Sequence, residues 1–133
     1  MEWQQHGQYT LQWQGDILLA FYTGDWNHVC SQNLHRDARV LWAARGGAPW
    51  ALLSDGSEWG SGTPESLDVW WQFFEDGVRH GMIAVSDILP SHFHTRMLSP
   101  LAERASRLVH YRRSSTRAEA ADWLLGELAA RAP

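Results

Sequence analysis

The 133-residue chain contains no lysine: all eleven basic side chains are arginine. That excludes Schiff-base chemistry and a phosphate loop built around a lysine. Cys30 is the single cysteine, so no intrachain disulfide can close, and a reducing compartment is expected. Positive charge is not in excess, since fifteen acidic residues leave the chain at −4. A broad attraction to nucleic acid or to an anionic membrane is therefore not expected. Long apolar runs are missing too. The longest, residues 17–22, is six residues, where a membrane span needs roughly 20. Residues 1–5 lack the basic-then-apolar order of a signal peptide. These absences describe a cytoplasmic protein with no membrane span and no nucleic-acid partner.

Tryptophan is what the chain has in surplus, at nine residues. An interior of this size holds about half of them, so the others are expected to line a cleft, cover a partner or lie half exposed. With 44% hydrophobic and 20% charged residues, the composition is that of a globular chain, and residues 1–133 read as one domain without linker or repeat.

Hydrophobic periodicity orders the elements. Tyr9, Leu11 and Trp13 alternate with polar neighbours as a half-buried strand. Gly15-Asp16 turns the chain into an apolar strand over 17–22, giving an antiparallel hairpin. Trp26, Cys30, Leu34, Ala38, Leu41 and Trp42 recur at helical steps up to Gly46-Gly47. Residues 50–53 form a buried strand, followed by a Gly/Ser-rich loop over 55–62. Thr63-Pro64-Glu65 supplies a cap, a first-turn proline and an acid at the positive dipole end. The helix it opens carries Leu67, Trp70, Trp71, Phe74 and Val78 and stops at Gly81. A strand over 82–85 follows, then a short helix over 91–98 with Phe93, Met97 and Leu98 inward, then a strand over 108–111. A capping box at Thr116 and Glu119 starts a last helix with Ala121, Leu124, Leu125 and Leu128 facing the core. Strands alternating with helices call for an α/β fold: one mostly parallel sheet of four or five strands, an antiparallel edge strand, and helices packed on it.

Several segments also match a known pattern. These are Gly15-Asp16-Ile17 at the first turn, Asp55 with the loop to Trp59, and Thr63-Pro64-Glu65-Ser66-Leu67 after the central strand. Ala84-Val85-Ser86-Asp87 at the next strand end and Glu119-Ala120-Ala121-Asp122-Trp123-Leu124 in the closing helix complete it. Together, over residues 8–128, they resemble the STAS domain and most closely its SpoIIAA-like branch. The resemblance implies no shared catalytic machinery. It implies bacterial docking modules switched at a serine in an Asp-Ser-Ser-Gly or Asp-Thr-Ser-Gly turn. This chain departs from that motif: Gly60-Ser61-Gly62-Thr63 stands there, with no acid beside the serine, so Ser61 and Thr63 carry the switch role only by position. The SpoIIAA-like branch also resembles CRAL-TRIO lipid-transfer domains, which hold apolar ligands between helix and sheet.

The candidate site residues follow. Asp55, Ser61 and Thr63 mark a loop at a central strand end that could receive an anion or a phosphate; an ordinary capped loop is the alternative. Trp59, in that loop, is the candidate exposed anchor for a partner. Trp70, Trp71 and Phe74 are binding candidates, since adjacent tryptophans diverge by about 100° on a helix and one must reach the core's edge. His92 and His94 diverge on a helix, while His28 and His35 share a face; no spacing is a metal signature, and neither metal nor cofactor is expected. Cys30 reads as a buried, inert thiol. Arg107, Arg112, Arg113 and Arg117 read as a solvated basic face. No Gly-x-Ser-x-Gly elbow occurs. The expected function is non-enzymatic: docking of a protein partner, or self-association as a dimer, through exposed aromatics. The alternatives are a carrier of a small apolar ligand in a Trp-lined pocket and a hydrolase without a recognised motif.

Overall fold

Gly15, at φ +60°, folds the first two strands onto each other, a conformation glycine adopts without strain. In this computed structural model, which describes residues 4–131, β1 (Gln8–Gln14) pairs antiparallel with β2 (Ile17–Trp26). Beyond β2 the partners are parallel: β3 (Trp50–Gly62), β4 (Met82–Ile88) and β5 (His110–Arg113). The five strands form one sheet in sequence order, so β1 is the antiparallel edge strand the sequence predicts.

Helices make each parallel crossover. α1 (His28–Ala43) joins β2 to β3, and α2 (Pro64–Arg79) joins β3 to β4. α3 (His92–Met97) and α4 (Ser99–Ser106) lie between β4 and β5, and α5 (Arg117–Arg131) follows β5. Their starts are written locally. The Asn27 side chain accepts from the Cys30 N–H (3.2 Å), and Thr63 Oγ1 accepts from the Ser66 N–H (3.1 Å). Thr116 accepts from the Glu119 N–H, and Glu119 returns a bond to the Ser115 N–H. α1 and α2 cover one face of the sheet, with α4 beside them; α5 covers the other.

Six details differ from the sequence reading. Trp26 is the last residue of β2 and not part of α1; Asn27 caps that helix. Residues 55–62 are not a loop: β2 runs on past Tyr22 and gives them a partner, pairing Thr23 with Glu58, Gly24 with Trp59 and Trp26 with Gly62 across two irregularities. Phe93 points outward, 71% exposed, on a helix too short to bury it, and Leu125 is 55% exposed because it sits a helical step away from buried Leu124. The last strand begins two residues later than expected, at His110, with Leu108 exposed. α4 was not predicted, although Ser99-Pro100 and the spacing of Leu98, Leu101, Ala102 and Ala105 signal it. Among the described residues, no helix is long and apolar enough to cross a membrane.

Candidate functional site

Toward the C-terminal ends of the parallel strands, where open α/β sheets place ligands, the ring-rich face leaves a gap. It is a cavity of about 80 Å³, roughly half the size of an apolar protein cavity known to take benzene. β2 supplies Tyr22 and Trp26, and β3 supplies Trp59. α2 closes one side with Leu67, Trp70 and Phe74, and Leu98, Leu101 and Ala105 from the α3–α4 segment close another. Val85, Asp87 and Tyr111 form the edge on β4 and β5.

Polar groups occupy two places on this wall. Tyr22 Oη accepts from Ser54 Oγ (3.1 Å) and from Trp70 Nε1 (3.4 Å). Burial pushes the Tyr22 hydroxyl up to about 12, against the opposing effect of those two bonds, so it stays protonated. Asp87 is held by Tyr111 Oη (2.7 Å) and by Arg113, through Nε at 3.1 Å and Nη2 at 3.0 Å. Burial, and then the Asp87 carboxylate, raise the Tyr111 hydroxyl above its ordinary range.

The predicted binding residues divide. Trp59, Trp70 and Phe74 meet at the cavity, while Trp71 lies outside its lining, under the Arg104 guanidinium at 4.1 Å. Trp59 is not an exposed anchor: it is 8% exposed, packed over Gly62 and edge-on to the His94 ring. Gly62 makes that possible, since a Cβ there would lie 3.1 Å from the indole. Of the eight described tryptophans, five are buried and Trp13, Trp70 and Trp123 are half-buried. Among the described Phe, Tyr and Trp rings, Phe93 is the exposed one.

Asp55, Ser61 and Thr63 do not form one site. Asp55 is buried and bonded by Arg117 and by the Ser57 N–H (3.0 Å). Burial opposes its ionisation, but those bonds outweigh it and hold the carboxyl below its ordinary range. Ser61 Oγ donates to Asp25 (3.0 Å), which brings an acid beside it from β2. Thr63 serves as the α2 cap.

The basic cluster is solvated at Arg107, Arg112 and Arg117, as the sequence predicts, while Arg113 is half-buried, and three of the four hold acidic partners. Arg113 pairs with Asp87, Arg117 with Asp55 and Arg107 with Glu103. His35 reaches Asp76 on α2 at 2.8 Å, where His80, Arg39 and Arg79 also gather. Cys30 is buried, and desolvation pushes its thiol up to about 12. His94 bridges Ser91 Oγ and the Gly60 carbonyl, each at 2.7 Å, tying α3 to the end of β3. Among the described residues, no three His, Cys, Asp or Glu side chains converge as a metal set would.

This architecture, a mixed five-stranded sheet with helices on both faces, is a SpoIIAA-like fold. In solved structures it is similar to an uncharacterised protein of the DUF3478 family with a SpoIIAA-like fold from Shewanella loihica PV-4, at TM-score 0.65 and 16% identity, covering 93% of this chain and 98% of that one. No family model and no curated protein sequence matches the chain.

Proposed function

We propose that the chain, as one domain over residues 1–133, is a non-enzymatic SpoIIAA-like binding module that holds a small apolar ligand between α2, α4 and the sheet. One observation carries this reading: Trp26, Trp59 and Trp70 turn toward a shared space that they do not fill. Such concave apolar sites with a few polar groups are what small ligands occupy. Docking through exposed aromatics has less support, since Trp59 and Trp71 are buried and only Trp70 of the proposed tryptophan anchors keeps part of its surface. The hydrolase reading has the Ser91–His94 pair to rest on, and that imidazole is held by a backbone carbonyl and not by a carboxylate.

Native mass spectrometry of the chain drawn from cell extract tests the proposal. A mass above that of the bare chain, falling to it on denaturation, is expected. An Ala102→Phe variant, which fills the cavity, should lack the added mass. A bare mass in the unaltered chain overturns the reading, and a doubled mass in its place moves support to self-association.

A further inference from the structure

We infer that Tyr22 is the polar anchor of this cavity, and that the ligand is a neutral molecule of the carbonyl class whose oxygen accepts the Tyr22 proton. The inference rests on the ligand-binding reading above and names the chemistry of the ligand.

A phenol oxygen accepts through its lone pairs and has one proton to give. Tyr22 Oη accepts from Ser54 Oγ and from Trp70 Nε1, and among the described residues it donates to nothing. Every other hydroxyl on the cavity wall has placed its proton in the protein. Ser54 donates to Tyr22, Ser31 to the Ser66 carbonyl, Ser66 to the Thr63 carbonyl and Tyr111 to Asp87. Tyr22 is the exception, and at 6% exposure it has little bulk water to turn to. A buried donor left unpaired is costly, so an acceptor in the cavity gains what that proton otherwise loses. The two bonds Tyr22 accepts polarise its O–H and strengthen it as a donor.

Charge selects among acceptors. Asp87 is the charged side chain on this wall, and Arg113 and Tyr111 already hold its oxygens. A ligand cation or carboxylate would therefore be buried here with no uncommitted counter-charge, which is costly. What remains is a neutral oxygen on an apolar body, small enough for a cavity of about 80 Å³.

Acetone, isobutene (the same skeleton with a methylene in place of the oxygen) and acetate, each small enough for this space, test this by nuclear magnetic resonance titration of the indole N–H signals. The unaltered protein and Tyr22→Phe are compared. Tyr22→Phe should weaken acetone about threefold to tenfold, the worth of one neutral hydrogen bond, and leave the hydrocarbon within about twofold. A variant-free readout stands beside it: the carbonyl stretch of bound acetone should lie below that of the ketone in hydrocarbon solvent. If the hydrocarbon binds while Tyr22→Phe shifts both probes alike and the stretch is unmoved, the donor assignment falls and the cavity reading stands. If no probe binds the unaltered protein, both fall. Carboxylate binding as tight as the ketone overturns the requirement for a neutral ligand.

Discussion

The two faces of the sheet are filled by different shapes. Toward α1 and α2 the filling is rings: Trp42 stacks on Trp50 (5.6 Å), Phe73 (5.9 Å) and His80 (5.9 Å), and Trp71 stacks on Phe74 (5.2 Å). Toward α5 it is aliphatic, with Ile17, Leu19, Leu53, Ile88 and Leu124 meeting over small Ala51, Ala84 and Ala120. Branched aliphatic chains and alanines let one helix sit close and seal its face. Rings bury more area each but are flat and rigid, with few torsions to adjust. Where α2 is drawn in at Gly77, whose missing Cβ would stand 2.8 Å from Met82 Cε and 3.4 Å from Trp50, the rings close up. Around Trp26, Trp59 and Trp70 they leave a hollow. The cavity is thus a product of the filling chosen for one face.

Truncation tests that contrast most strongly. Phe73→Ala removes a fully buried ring from the stack on Trp42 and should cost about 3–5 kcal/mol in urea unfolding. Leu124→Ala, on the α5 face, should cost about 2–3 kcal/mol, because its surroundings can settle onto the smaller side chain. Equal costs, or the reverse order, would break the contrast.

Arg117→Ala sharpens the α5 face by leaving Asp55 buried without its ion partner. With the half-exposed guanidinium discounted, the expected cost near neutral pH is about 1–3 kcal/mol. The sign with pH follows from the depressed Asp55 carboxyl. Its contribution is complete above the unfolded value of about 3.9 and is lost as pH falls through the lower folded value. Stability of the variant and the unaltered protein should therefore draw together as pH falls below the ordinary carboxyl range; a gap that persists in strong acid would assign the effect to lost packing on Phe21. Phe93→Ser is the smallest change. That ring belongs to neither face, and its replacement should move stability by no more than about 0.5 kcal/mol.

What the residues disclose in advance tracks how local each signal is. Gly15, the Thr63-Pro64 start and the Thr116 cap each act within a few residues, and the elements they bound stand where the sequence places them. The continuation of β3 through Trp59 depends on partners in β2 more than thirty residues earlier, so a Gly/Ser-rich stretch reads as a loop without them. The ion partners of Arg113 and Arg117 are likewise hidden until the fold carries Asp87 and Asp55 to them. Of the site, the tryptophan surplus announces a hollow, and Trp59, Trp70 and Phe74 are legible as its wall. Tyr22 is not, because it closes an apolar run and its unspent proton emerges only when all neighbouring hydroxyls are accounted for together.

The face-to-face approach of Trp42 and Trp50, 22° from coplanar, has an optical consequence. Two indoles at that separation share their electronic excitations, so the folded chain should show a paired positive and negative band in far-ultraviolet circular dichroism. The signal falls when the rings part; Trp42→Phe should remove the share of this pair and leave that of Trp13 and Trp50, also 5.6 Å apart, giving a label-free gauge of whether this half of the interior is intact.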